Sequence, residues 1–406
     1  MTGFRLSRRH FLGAAGAAAT SLALPGVLRA QAQAIKVGVL HPVTGALAYS
    51  GQQSRAGVLM AIEEINAAGG IKSLGGAKLE PVLADAQSRP EAGAAEVDKL
   101  AEAGVAAIIG PYASGIALAT TQAAARHNLA NIVDVGVVDQ IVTRGLANTF
   151  RFAPGFGKVT RTALDNLVAI NEAAGKPART VIIVHEDGAF GSGMAKLLNE
   201  ELPKRGFQVL DTIGHPTPQR DFTNIVLKLK SANPDLVVPS NYLNEFVLMA
   251  RTLRQQRVSP KGVYAVLGGG ASNVKFVKEH NDAAQFIMDC NHWFDPRKPR
   301  SQAFEKKCAE KNIDLTYEVM LNHACTHLLA DALERAASAD RAKVIEALAS
   351  STFADHIMPY GPTKFVNGQN EGAQPVNTQI RGERIEVIFP KEFASTDPVF
   401  PVPQRS

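Results

Sequence analysis

The chain runs through one pattern twice. Short, continuously apolar runs alternate with segments of helical periodicity, and near Thr149-Phe-Arg-Phe-Ala-Pro154 the alternation begins again. A strand that is apolar on both sides belongs in a sheet covered on both faces, and strands joined by helices pair in parallel. The first series predicts strands at Ile35–Leu40, Lys78–Ala84, Ala106–Ile109 and Asn131–Asp134, with helices over Ala56–Ile65, Glu91–Glu102 and from about Gly115. The second predicts strands at Arg179–His185, Phe207–Ile213, Asp235–Pro239 and Val263–Leu267, with helices at Thr162–Ala173, Met194–Lys204, Thr223–Ser231 and Asn244–Gln255. Two such series in succession imply an α/β architecture of two doubly wound parallel-sheet lobes with a cleft between them.

Beyond Gln285-Phe-Ile-Met288 the pattern changes to helices over 301–311, 318–337 and 340–349, then short strands near Thr363–Val366, Val376–Ile380 and Ile385–Phe389. The expected division is residues 1–32 as an export signal, 33–150 as the first part of lobe 1 and 151–288 as the main part of lobe 2. Residues 289–406 form a hinge, a helical segment and a return that mostly completes lobe 1 with part of lobe 2. Crossings are expected near Phe150–Pro154 and Asp289–Phe294.

The first 32 residues read as a leader rather than as part of the fold. Ser7-Arg-Arg-His-Phe-Leu12 is a twin-arginine run, an Ala/Gly-rich apolar stretch follows to Leu24, and Ala30-Gln-Ala32 supplies small residues for cleavage. This predicts a periplasmic protein. The leader carries Arg5, Arg8, Arg9 and Arg29 and no acid, so the 43 basic and 38 acidic residues of the whole chain become 39 and 38 without it. A nearly neutral protein gives no electrostatic reason to expect nucleic acid or an anionic membrane as partner. Cys290, Cys308 and Cys325 make no CxxC pair and have no metal-like spacing with histidine. One disulfide, Cys308 with Cys325, and three buried thiols are both compatible with them.

The stretch from Ala106 to His127 is the most informative for function. It reads as a buried strand, a tight turn at Gly110-Pro111 and a helix beginning behind Ser114. Ser114 falls where an N-cap side chain accepts from the first orphan amides. The same place, at the carboxyl end of a strand and the amino end of a helix, suits a carboxylate or phosphate. From this loop alone, capping and ligand binding are both open for Ser114.

The leader, IKVGVLHPVTG, AGVLMAIEEINAAGGI, AAIIGPYASG, HEDGAFGSG and QRDFTNIVLKLK, in that order, resemble the periplasmic substrate-binding proteins of ABC transporters of the leucine/isoleucine/valine-binding type. The resemblance covers the mature chain. It implies a type I periplasmic binding protein: a non-catalytic monomer of two lobes joined by three crossings, closing on one small molecule and docking on permease subunits. Neither cofactor nor metal is expected. Matched motif to motif, the serine that holds a ligand carboxylate falls on Ser114, with Gly115 beside it. The second clamping loop falls on Val135 to Val138, where Gly136 and Val137 offer backbone donors and Val138 replaces a threonine. The aromatic closing from the second lobe falls on Phe190 and the next contact near Tyr242. The acid that pairs with an α-ammonium would fall at about Gly270, beside Gly269, in Leu267-Gly-Gly-Gly-Ala271, and is absent.

Burying an ammonium without a counter-charge costs several kcal/mol, roughly three powers of ten in affinity. The expected ligand is therefore a small organic acid without an α-ammonium, with Tyr49 and Trp293 as further aromatic candidates. The alternative is an amino acid or amide whose charge is met by Asp85, Glu245 or Glu318, of which Glu318 is carried as a site candidate. From another class, a periplasmic α/β enzyme would use His185, Asp187 or His292 as acid–base groups, and a sensor would use the same scaffold. Arg151 is expected to anchor the crossing at Phe150–Pro154.

Overall fold

The computed structural model describes residues 33–403, so the leader expected over residues 1–32 lies outside the described residues. Five strands come first: β1 (Ile35–His41), β2 (Leu79–Asp85), β3 (Ala107–Ile109), β4 (Ala130–Val133) and β5 (Thr149–Arg151). They pair in parallel in the order β5-β4-β3-β1-β2. Five more follow, β6 (Thr180–Glu186), β7 (Gln208–His215), β8 (Leu236–Ser240), β9 (Gly262–Val266) and β10 (Met288–Asn291), parallel in the order β10-β9-β8-β6-β7. Both orders turn back on themselves beside the first strand of the series, which places a switch point, where ligands bind, at β1/β3 and at β6/β8.

The physical reason is burial on both faces. Val37, Val39, Ile108, Ile109 and Ile132 in the first sheet, and Val181, Ile183, Val237 and Val238 in the second, have no solvent exposure. The helices Ala48–Ala67 and Tyr317–Ala336 pack on each other in the first lobe, and Phe156–Ala173 packs on β9 and β10 in the second.

The return differs in detail from the expected one. Phe365–Val366 (β11) and Gln369–Asn370 (β12) extend the first sheet beyond β5, whereas Val376–Arg381 (β13) and Arg384–Phe389 (β14) add an antiparallel edge to the second beyond β10. The chain therefore passes between lobes three times: after β5, after β10 and between β12 and β13. All three cysteines are free and buried. The Cys308–Cys325 disulfide is not formed; the thiols pack as small apolar groups.

Candidate functional site

Where the strands of both sheets end, a narrow cavity of about 30 Å³ lies between the lobes. The first lobe contributes Tyr112 and Ser114 from the loop after β3 and Val135 and Val137 from the loop after β4. The second contributes Phe190 after β6, Asn241 and Tyr242 after β8, and Leu267 and Gly269 after β9. Asn291 and His292 enter from the crossing after β10, and Tyr317 from the helix Tyr317–Ala336. A larger hollow near Arg257–Val263 lies at the amino end of β9 and is remote from this convergence.

Ser114 does not cap its helix. The helix Ser114–Arg126 has Ala113 at the N-cap position, without a side-chain cap bond, and Ser114 is its first residue. The hydroxyl instead accepts from the Val137 backbone N–H at 3.1 Å, joining the two loops of the first lobe. The helical ladder begins with Ala117 donating to the Ala113 carbonyl, so the amides of Ser114, Gly115 and Ile116 precede it. Because the hydroxyl oxygen already accepts, its hydrogen is available to a ligand.

The Val137 loop is held from behind by Arg151, whose guanidinium is almost fully buried. It donates to the Val137 carbonyl at 2.7 Å, the Val138 carbonyl at 2.8 Å, Gln369 Oε1 at 2.7 Å and Asp139 Oδ1 at 3.2 Å. Arg151 thus ties the loop after β4 to β12, beyond the local anchoring role expected for it.

In the second lobe the buried Glu186 carboxylate accepts from the Gly188 and Gly191 amides and so shapes the turn that presents Phe190. A Cβ at Gly191 would lie 2.2 Å from the Glu186 carbonyl, which excludes any other residue there. Asp289 organises the glycine-rich turn: it accepts from the Gly268 amide at 3.0 Å, the Ser272 hydroxyl at 2.9 Å and the Asn291 side chain at 2.9 Å. Burial raises its pKa to about 6. Gly269 faces the cavity, with the Leu243 and Tyr242 backbone too close for a side chain, and Leu267 beside it is held at φ +57°. Such backbone strain is characteristic of ligand clamps.

The rings of Tyr112 and Tyr242 approach to 5.8 Å across the cleft, and Phe190 packs on Tyr242 at 5.3 Å. Asn244 Nδ2 also donates to the Ala46 carbonyl at 3.3 Å, so the lobes are closed on each other. Tyr112 and Tyr317 share a hydroxyl hydrogen bond of 3.0 Å.

Of the residues expected from sequence, Ser114, Val137, Phe190, Tyr242 and Gly269 line this cavity. Others of that set do not line it. Tyr49 bonds Asp314 Oδ2 at 2.7 Å and lies under the Lys275 ammonium. Trp293 is buried against Phe294. Gly136 packs toward Ile141, Val133 and Ala117, Gly270 toward the Phe246 ring, and Gly115 toward Pro90. Val138 joins the apolar cluster around Phe156. Glu318 is fully buried and is not in the lining, yet its charge is felt at Tyr112, Tyr317 and Tyr49. Neither carboxyl oxygen has a partner in hydrogen-bonding geometry, although the Ser50, Thr316 and Tyr317 hydroxyls are close enough to favour its ionised form. Burial outweighs them and raises its pKa to about 7.

The other carboxylates considered are engaged elsewhere. Asp85 accepts from the Val43 and Gln87 amides and the Thr44 hydroxyl, and Glu245 from the Gln219 amide. His185 Nδ1 bonds the Glu186 carbonyl, and neither it nor Asp187 lines the cavity.

His292, named from sequence as an acid–base candidate, does line it. Burial first, and the Arg151 charge second, lower its pKa to about 3, so it is neutral near pH 7. Nδ1 lies 3.4 Å from the Tyr360 hydroxyl and Nε2 has no partner. Asn241, Asn291, Tyr112 and Tyr317 are likewise additions to the sequence-derived set. The cavity lining therefore contains no carboxylate, ammonium or guanidinium. It offers hydroxyls, amides, one neutral imidazole and aromatic faces.

A family model for the periplasmic binding protein matches residues 34–379. The Leu/Ile/Val-binding protein homolog 7 of Brucella melitensis is 26% identical over 376 residues, covering 89% of this chain and 93% of that protein. Three solved structures are similar in fold. A leucine-binding protein from Thermotoga maritima has a TM-score of 0.75 at 20% identity, over 87% of this chain and 97% of that one. A branched-chain amino acid transporter substrate-binding protein from Streptococcus pneumoniae, in complex with isoleucine, has a TM-score of 0.75 at 20% identity, over 88% and 100%. An ABC transporter solute-binding protein from R. palustris, in complex with benzoate, has a TM-score of 0.75 at 21% identity, over 87% and 95%.

Proposed function

The chain belongs to the periplasmic binding protein family, and on that premise we propose that it is a non-catalytic, exported receptor for a small organic acid without an α-ammonium, which it delivers to an ABC importer. The observation that carries this reading is the cavity lining: it contains hydrogen-bond donors for a carboxylate but no acid to pair an ammonium. The carboxylate would sit at the start of the helix Ser114–Arg126, where the Ser114 hydroxyl, the first amides and the positive end of the helix converge. Tyr112, Phe190, Tyr242 and Tyr317 supply aromatic walls for an apolar, planar remainder. The similar fold solved with benzoate carries a ligand of this chemistry.

One observation favours a second reading. The Glu318 carboxyl is unpartnered behind Tyr112 and Tyr317, and a small movement would let it meet an ammonium, as an amino acid ligand would require. A thermal-shift series of aromatic and aliphatic carboxylates, their amides and free amino acids separates the two. Stabilisation by the acids, with each ligand recovered chemically unchanged, supports the receptor for organic acids; stabilisation by amino acids alone supports the second reading.

A further inference from the structure

On the far side of the first lobe, two histidines project from one face of the helix Tyr317–Ala336. His323 and His327 are four residues apart, which places their rings one above the other on a helix. The ring centroids are 4.6 Å apart. From the adjacent helix Ala48–Ala67, Glu64 points its Oε2 at both: 2.8 Å from His323 Nε2 and 3.2 Å from His327 Nε2. Tetrahedral zinc with bonds of about 2.0–2.1 Å holds its ligand atoms about 3.3 Å from one another. The three donor atoms all lie within 4.8 Å of one another and are already close to that spacing.

We propose that Glu64, His323 and His327 form a binding site for a divalent transition metal of the zinc class, independent of the cleft between the lobes. The donor set of two imidazoles and one carboxylate, with a fourth position for water, suits zinc better than the oxygen-seeking magnesium or calcium. The fourth position faces a surface hollow bordered also by Arg300, Phe304 and Lys307, which gives the ion a path of entry.

The surroundings fit a metal ligand shell in one respect. Lys307 Nζ holds the other oxygen of Glu64, Oε1, at 3.0 Å, the outer-shell bond that commonly orients a ligating carboxylate. One group opposes. The Arg300 guanidinium, paired with Asp355 at 2.6 Å, lies 3.2 Å from both nitrogens of the His327 ring. A bound ion must push it toward the hollow. The metal would then clamp the helix Ala48–Ala67 to the helix that carries Tyr317, stiffening the first lobe.

The test is titration of the untagged, chelator-treated full chain with zinc chloride, followed by calorimetry and by melting temperature. Wild type should bind one zinc per chain and melt higher. His327→Gln, at a partly exposed position, should fold normally and bind roughly tenfold more weakly or worse. Arg300→Ala should bind more tightly. Ser114→Ala should bind zinc as wild type does. Absence of saturable zinc binding, equal affinity in wild type and His327→Gln, or weaker binding in Arg300→Ala would each overturn the assignment.

Discussion

The Val137 backbone N–H donates to the Ser114 hydroxyl oxygen at 3.1 Å, so the loops after β3 and β4 are one unit. Ser114→Ala removes the hydroxyl available to a ligand and leaves a buried N–H unpaired. Ligand affinity is expected to fall by about 1.5–3 kcal/mol, and unfolding stability by about 1–2 kcal/mol. Calorimetry and urea denaturation measure the two. Wild-type affinity in the variant would mean that the ligand does not reach this helix start.

Arg151 should matter to both fold and affinity although it does not line the cavity. Arg151→Met removes the charged donor from the Val137 and Val138 carbonyls, which keep only the Phe156 and Ile141 backbone amides. A loss of about 1.5–3 kcal/mol in stability is expected from that change. Ligand affinity should fall with it, because the clamping loop loses its support. Urea unfolding that shows less than about 1 kcal/mol of change would contradict the role given to Arg151.

Glu318 gives a pH dependence of defined sign. Its folded pKa is raised to about 7, above that of an exposed glutamate, so the folded state holds a proton that the unfolded chain has already released. Its contribution is therefore full below about pH 4 and declines as pH rises to about 7, by at most about 3 kcal/mol. Glu318→Gln removes that decline. The variant should gain stability relative to wild type between pH 5 and about 8, as followed by chemical denaturation at each pH. A difference independent of pH would show that Glu318 is not buried as a neutral acid.

The closed contact of Tyr112 with Tyr242 and of Asn244 with Ala46 predicts a hinge motion about the three crossings. The ligand-free protein should have a larger radius of gyration by small-angle scattering than the protein saturated with its ligand. An unchanged radius with a ligand of proven affinity would contradict closure.

The two lobes were legible because parallel strands covered on both faces are continuous apolar runs, as in Ile35–Leu40 and Val181–Val184. The short β12 strand was not, since Gln369 and Asn370 are polar and pair through their backbone and through Arg151. Ser114 illustrates the limit of local reasoning. A serine before a helix signals a cap, whereas its partner, Val137, lies in a separate loop 23 residues on and leaves no trace in spacing. His292 was hidden for a similar reason: a buried imidazole in a crossing and one facing a cavity have the same sequence signature. The absence of an acid in the Gly268–Gly270 turn was legible, and the turn's support by Asp289 was not.

The proposed receptor accepts an organic acid and rejects an α-ammonium. Isothermal titration of the purified chain with benzoate and with leucine under identical conditions tests it most directly. Saturable binding of benzoate and none of leucine is expected, since the ammonium would enter a lining without a carboxylate. Micromolar or tighter binding of leucine would contradict it and would identify Glu318 as the counter-charge.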